Sequence, residues 1–369
     1  MAVFNLRSRK VDFVTAFLNG DIEKQYKIWM RAPEGYTEAE GKFLRLLKAL
    51  YGLKQASRLW MQKLHSKLIE LGFIQSYQDP CVYIRINTKT GEIVILGIFV
   101  DDTMILYTKE FSLEEFLLGL RTWFKVTDER ELDSYLGITI TRNKDTKIVS
   151  LSQSFYIKVM LEKFEMSESN PALTPMETHF KIDHDKDIMS PEEIDEMKNV
   201  PYREAIGSLM YLMVSTRPNI AYAISVLSRY SACPSRRHWK AVKRVFRYLK
   251  GTMYLSLNLG GEIKDITPML LGYADADYGG DLNSRKSTSG YIFKLNNSEG
   301  VISWKAMLQR IVAISTVEAE LISAKEAVKE AIALRRLLED LHYVQKVPTI
   351  IYEDNQGTIH LTKNQVRRP

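Results

Sequence analysis

Cysteine is nearly absent: Cys81 and Cys233 are the only two in 369 residues. A disulfide scaffold is therefore excluded, and an intracellular setting is the expectation. No cluster of Cys and His has the spacing of a zinc site. No apolar run is long enough to cross a bilayer, and the N-terminus lacks the apolar core of a signal peptide, so no membrane role is expected. Internal repeats and low-complexity tracts are also missing. What remains is an apolar fraction of 45%, typical of a soluble globular protein, in a chain long enough for two or three domains. The net charge of +6 and pI near 9.0 permit a polyanionic partner without requiring one.

Against that background Asp101 and Asp102 stand out. They interrupt an apolar stretch, with Ile93–Val100 before them and Met104–Leu106 after. Charged groups are costly to bury unless paired or metal-bound. The pattern reads as two strands joined by a tight turn, with the aspartates at its tip. Such a hairpin holds carboxylates where a divalent cation can bind; an exposed turn is the competing reading. Asp12 is a third carboxylate, in the alternating segment Val11–Leu18, which reads as a strand ending at Asn19-Gly20. Three carboxylates converging at strand ends suit Mg²⁺, which takes oxygen ligands and keeps waters and phosphates in its shell. Two such ions clamp an in-line phosphoryl transfer.

Further along, Phe43–Leu71 has helical spacing broken near Gly52, and Leu113–Phe124 reads as a short amphipathic helix. Glu131–Thr141 and Ile148–Ser152 read as strands. Residues 166–200, rich in Pro, Ser, Asp and Glu, are the best linker. Helices follow at Tyr202–Ser215, Pro218–Ala232 and Arg236–Lys250, then a boundary at Gly260–Thr267. The last hundred residues run strand, loop, strand, a long helix at Thr316–Leu341, and a strand at Thr349–Tyr352, the order of an α/β unit.

Val11-Asp-Phe-Val-Thr-Ala-Phe-Leu-Asn-Gly20, Ala49-Leu-Tyr-Gly-Leu-Lys-Gln-Ala56 and Phe99-Val-Asp-Asp102 stand in the order found in reverse transcriptases of Ty1/copia-type retrotransposons. Ser134-Tyr-Leu-Gly-Ile138 resembles the segment that follows their catalytic hairpin. The resemblance runs from Val11 to Asn364 and implies a polymerase palm. Asp12 and Asp101 match its two main metal ligands, and Asp102 the less essential second aspartate of the hairpin. Phe17 matches the aromatic gate that leaves no room for a ribose 2′-OH; a core aromatic is the competing reading. Gln55 matches a stretch near the nucleotide or template; a helix-surface glutamine competes with that.

The helix at 236–250 carries Arg236, Arg237, Lys240, Lys243, Arg244, Arg247 and Lys250 opposite an apolar face of Trp239, Val242, Phe246 and Leu249. A cationic stripe of this kind suits a phosphate backbone, although many charge runs are only solvated faces. A second carboxylate set lies in the C-terminal unit, with Asp275 and Asp354 closing strands and Glu320 near the start of the long helix. These, with Arg285-Lys-Ser-Thr-Ser-Gly290 and Ile302-Ser-Trp304, resemble ribonuclease H of the copia type. Glu320 is favoured over Glu318 as the ligand, and Asp277 is a weaker competitor for Asp275.

The expected architecture is α+β and α/β in several domains. A palm with partial fingers spans 1–165, a linker and helical thumb or connection 166–262, and an RNase H-like domain 263–369. The resemblance implies RNA-directed DNA polymerase and RNase H activity with Mg²⁺ (or Mn²⁺) at each site. Its implied partners are an RNA template, a DNA primer, an RNA–DNA hybrid, dNTPs and other polyprotein parts, in a cytoplasmic particle or the nucleus. Only Met1–Lys10 precede the first motif, and 15 residues follow Asp354. An internal piece of a polyprotein is the expectation. An inactive nucleic-acid-binding remnant and a nuclease-only product are the alternatives.

Overall fold

The computed structural model describes residues 6–129, 131–178, 180, 189–261, 270–295 and 298–363. The chain divides into two units, one running to Leu136 and the other starting at Gly137.

The first unit is built on a six-stranded sheet. Its elements are β1 (Arg7–Phe13), β2 (Trp29–Arg31), β3 (Phe43–Arg45), α1 (Ala56–Glu70), β4 (Ile74–Gln75), β5 (Val82–Asn87), β6 (Glu92–Phe99), β7 (Asp102–Tyr107), α2 (Glu110–Arg121), β8 (Val126–Glu129) and β9 (Ser134–Tyr135). The sheet order is β4-β5-β6-β7-β1-β8, with β2 and β3 forming a separate ribbon. Alternation sets the faces. Val11 and Phe13 of β1, and Thr103, Ile105 and Tyr107 of β7, are buried, while Lys10, Asp12 and Asp102 lie on the opposite face and are half-buried. Trp60, Leu64 and Leu68 of α1 and Leu113, Phe116, Leu117 and Leu120 of α2 complete the core.

Three local expectations change. The strand through Leu18 ends at Phe13. Thr15 turns left-handed (φ 53°), and Ala16–Asn19 forms a 3₁₀ turn, held by the Asn19 side chain donating to the carbonyls of Thr15 and Ala16. The helical spacing of Phe43–Leu71 yields a helix only from Ala56; Phe43–Arg45 is a strand paired with β2. The strand over Glu131–Thr141 is interrupted by positive φ at Leu136 and Gly137.

The second unit contains β10 (Ile138–Asn143), β11 (Ile148–Ser152), α3 (Ser154–Lys163), α4 (Pro191–Lys198), α5 (Tyr202–Ser215), α6 (Ala221–Ser228), α7 (Arg236–Gly251) and β12 (Leu257–Gly260). It continues with β13 (Leu270–Asp277), β14 (Thr288–Leu295), β15 (Val301–Leu308), α8 (Thr316–Asp340), β16 (Ile350–Tyr352) and α9 (Gln356–Lys363). The division falls near 136 rather than 165 because β11 pairs with β12 over Ile148–Gly260 to Leu151–Leu257, a long-range ladder. Helices α3, α5, α6 and α7 enclose one apolar core around Leu209, Leu227, Val245 and Phe246. The expected linker contains α4, with Ser190 as N-cap and Pro191 in its first turn. Residues 179 and 181–188 of that linker, and 262–267 of the second boundary, lie outside the described residues. The C-terminal sheet has the order β15-β14-β13-β16, antiparallel except for the parallel β13–β16 pair. Helix α8 lies on this sheet through small residues, Ala327 and Ala331, which permit close approach to Leu270, Ala274 and Phe293.

Candidate active sites

The first site is organised by the turn between β6 and β7. Phe99 pairs with Asp102, leaving Val100 and Asp101 as a two-residue loop. Tight loops of this length need positive φ, and Val100 adopts φ 58°, unfavourable for a β-branched residue. Two contacts hold it there. The Trp60 indole N–H donates to the Val100 carbonyl at 2.7 Å, and the Phe13 N–H donates to the Asp101 carbonyl at 3.1 Å. Trp60 also meets the rings of Phe13 and Phe124 edge-on at 5.0 and 5.3 Å between centroids. One buried tryptophan therefore braces the residue after Asp12 and the residue before Asp101.

Asp12 stands directly opposite Asp102 in the β1–β7 ladder. Like charges in that position repel. Lys10, on the same strand face, places Nζ 3.2 Å from the Asp102 carboxylate and offsets part of the charge. The sequence signal for this contact is the place of Lys10 two positions before Asp12 on a strand. Phe17 lies in the 3₁₀ turn, half-buried, its ring 4.7 Å from that of Tyr51. Gln55 is the N-cap residue of α1, also half-buried. The turn thus meets the Tyr51–Gln55 stretch, and a Cβ at Gly20 would fall 3.1 Å from the Leu59 side chain and from the Trp60 backbone nitrogen, tighter than ordinary contact.

The second site is a tighter cluster. Tyr273 and Tyr352 are register partners in the parallel β13–β16 pair, their rings stacked at 4.9 Å. Asp275 and Asp354 each follow two residues later, at the same end of neighbouring strands. Glu320 reaches them from the second turn of α8. One carboxylate oxygen from each of the three lies within 4.8 Å of the others. Among the described residues this is the one trio of His, Cys, Asp or Glu with that geometry; Asp12, Asp101 and Asp102 do not form one. The helix is pinned by the Ser323 hydroxyl, 2.7 Å from the Asp275 carbonyl and 3.1 Å from that of Gly290. The Gln309 amide donates to the Ala319 carbonyl at 2.8 Å.

Glu320 is only 7% exposed, and its Oε2 is buried with no hydrogen-bond partner. Burial, then the negative charges of Glu353, Asp275 and Asp354, pushes its carboxyl up to about 7. Burial raises Glu353 as well, and its Oε2 is likewise buried without a partner. Glu353, missed as a site residue, joins the cluster because it adjoins Asp354; that adjacency was its only sequence signal. The two competing acids, Glu318 and Asp277, make contacts of their own. Glu318 caps α8, accepting from the Ile314 N–H at 2.7 Å while its own N–H donates to Ser315 Oγ. The Asp277 carboxylate packs against Gly280, where a Cβ would fall 1.8 Å from Oδ2. In the segment 284–289, Ser287 and Ser289 are buried, and the Ser287 hydroxyl accepts from the Gly279 N–H at 3.0 Å. An all-carboxylate donor set with orphaned buried oxygens fits a hard divalent cation such as Mg²⁺ or Mn²⁺.

The basic helix is less open than its sequence suggests. Arg236 pairs with Glu196 at 2.6 Å, Arg244 with Glu177 at 3.5 Å, and Arg247 donates to the Asn170 carbonyl at 2.6 Å. Arg237 sits over the Phe180 ring. Lys240 and Lys243 are exposed and Lys250 is half-buried.

Residues 2–178 match the family described as reverse transcriptase (RNA-dependent DNA polymerase). The chain is similar to the retrovirus-related Pol polyprotein from transposon TNT 1-94 of Nicotiana tabacum, 40% identical over 99% of this chain and 27% of that protein. It is also similar to that from transposon RE2 of Arabidopsis thaliana, 34% identical over 97% and 24%. The chain spans about a quarter of the length of these relatives. Among solved structures it shares its fold with a foamy viral protease-reverse transcriptase in complex with an RNA/DNA hybrid. That TM-score is 0.51 at 12% identity, over 95% of this chain and 44% of that one. On these matches, the chain belongs to the Pol polyproteins of Ty1/copia-type retrotransposons, with a reverse transcriptase domain at residues 2–178.

Proposed function

We propose that the chain carries two phosphoryl-transfer centres, an RNA-directed DNA polymerase in the first unit and a ribonuclease H in the second. The observation that carries the polymerase reading is the reverse transcriptase match over 2–178, which takes in both Asp12 and the Asp101-Asp102 turn. In this reading the first unit is the palm with partial fingers, and the C-terminal sheet with α8 is the RNase H-like domain. Asp12 and Asp101 hold divalent cations, with Asp102 tempered by Lys10. Bound Mg²⁺ or Mn²⁺ supplies Lewis-acid charge for the transferring phosphoryl group. The residues do the positioning: Trp60 and Phe13 fix the turn, Phe17 blocks a ribose 2′-OH, and Gln55 faces the nucleotide or template. A primer 3′-OH attacks the α-phosphate of a dNTP on an RNA template, the α–β phosphoanhydride breaks, and pyrophosphate leaves. In the second centre Asp275, Glu320 and Asp354 would hold the cations, Glu353 adds negative charge, and a water attacks an RNA phosphodiester of the hybrid, releasing the ribose hydroxyl of one fragment. The setting is intracellular, a cytoplasmic particle or the nucleus, alongside other polyprotein parts.

A nuclease-only product is the second reading, favoured by one contrast: among the described residues the ligand-distance trio occurs in the second unit and not in the first. Primer extension and hybrid cleavage, each assayed with Mg²⁺, separate the two. Under the first reading Asp12→Asn and Asp101→Asn lower extension by about 10³-fold or more, Asp102→Asn by less, and Asp354→Asn abolishes cleavage alone. Cleavage without extension in the wild-type chain establishes the second reading. Hybrid binding with neither activity leaves an inactive nucleic-acid-binding remnant.

A further inference from the structure

The sheet face that carries Asp12 and Asp102 also carries a cation. Alternation puts Lys10 and Asp12 of β1, and Asp102 and Met104 of β7, on that face. In the ladder Lys10 stands opposite Met104 and Asp12 opposite Asp102, so Lys10 is the diagonal neighbour of Asp102. On the other side of Met104, in β6, its partner is Gly97. The Met104 methyl leans over that glycine, since a Cβ at Gly97 would fall 3.2 Å from Met104 Cε. This leaves the β1 side of Met104 to the Lys10 stem. Lys10 Nζ lies 3.2 Å from Asp102 Oδ1, the two side chains being 19% and 31% exposed. Glu129 of β8 is the second register partner of Lys10.

A partly buried ammonium so close to a carboxylate acts through a lower dielectric than water. The carboxylate it holds is a poorer ligand, and the ammonium repels a divalent cation directly. The second centre has no such counterpart: the charges acting on Glu320 are those of Glu353, Asp275 and Asp354, all negative. There three carboxylates reach ligand distance of one another, whereas Asp12, Asp101 and Asp102 do not.

We propose that Lys10 is a built-in counter-cation of the first centre. It keeps Asp102 out of the metal shell, leaves Asp12 and Asp101 as the ligands, and sets divalent-cation affinity there below that of the second centre. The inference rests on the reading of Asp12 and Asp101 as cation ligands. Lys10 is a positioning residue in it, because it acts through Asp102.

The test is Mn²⁺ binding to the full chain at constant ionic strength, followed by the paramagnetic resonance of the free ion, with a melting curve for every variant. The wild type should show two classes of site, the tighter lost in Asp354→Asn and the weaker in Asp12→Asn. In the Asp354→Asn background, Lys10→Gln and Lys10→Met should each tighten the remaining class about tenfold, while Lys10→Arg, which keeps the charge, leaves it near its starting value. Adding Asp102→Asn should remove most of that gain, because the gain comes from the carboxylate that Lys10 releases. With Lys10 in place, Asp102→Asn should weaken binding far less than Asp12→Asn does. The proposal is overturned if Lys10→Gln and Lys10→Met melt like the wild type and bind Mn²⁺ no more tightly. A gain that survives Asp102→Asn in full overturns it too, as does an equal loss in Asp102→Asn and Asp12→Asn. Primer extension that persists beside any of these results spares the polymerase reading. Mn²⁺ binding that neither Asp12→Asn nor Asp101→Asn weakens overturns the assignment of those ligands, and this inference with it.

Discussion

Val100 and Glu320 show how each site holds a residue away from its own preference. Val100 adopts φ 58° at the hairpin tip, kept there by Trp60. Left-handed backbone costs an L-residue with a Cβ roughly 1–2 kcal/mol, and glycine avoids it at an entropic cost of about 0.5–1. Val100→Gly is expected to stabilise the protein by about 0.5–1 kcal/mol in urea unfolding, and to slow extension as the Asp101 position loosens. Glu320 holds its proton up to about 7, above the ordinary 4.5. A raised folded-state value contributes stability that is complete below about 4.5 and is lost as pH rises through about 7. Without divalent cations the chain should therefore melt at a lower temperature at pH 8 than at pH 5. Glu320→Gln should remove about 1 kcal/mol of that difference, solvent screening included. A pH profile of melting in EDTA, wild type against variant, reads this directly.

At the level of elements, the second site depends on how closely α8 lies on its sheet. Ala319 and Ala327 are fully buried, and the Ser323 hydroxyl bridges two strand carbonyls. Ala327→Leu should cost about 1–3 kcal/mol by overpacking. It should also weaken cleavage by lifting Glu320 from Asp275 and Asp354, with extension left intact, and paired assays on one preparation check this. The helices at 202–215 and 236–250 and the long helix from Thr316 were legible because apolar periodicity spans several turns. Helix α3, at Ser154–Lys163, and α9, at Gln356–Lys363, were not legible: each is short, and its helicity depends on tertiary packing more than on periodicity. Phe43–Arg45 had helical spacing yet became a strand, because its partner Trp29–Arg31 lies outside any local window.

For the whole molecule, division near Leu136 gives two units, and the core around Leu64 in one and that around Leu209 in the other should unfold separately. Leu64 and Leu209 are each fully buried, one in each unit. Leu64→Ala should lower one thermal transition and Leu209→Ala the other, each by about 2–5 kcal/mol. Calorimetry showing both variants shifting a single shared transition would refute independent cores.

The sequence by itself determined which carboxylates exist, their order along the chain and the strand ends that carry most of them, because strand alternation and motif order are local properties. It also identified the family. Only the tertiary structure decided which groups meet. It set Lys10 beside Asp102, brought Glu320 and Glu353 against Asp275, and paired part of a cationic stripe with Glu177, Glu196 and the Asn170 carbonyl. These outcomes depend on contacts between residues tens of positions or more apart in most cases, and on the desolvation that those contacts impose. No periodicity or motif encodes either.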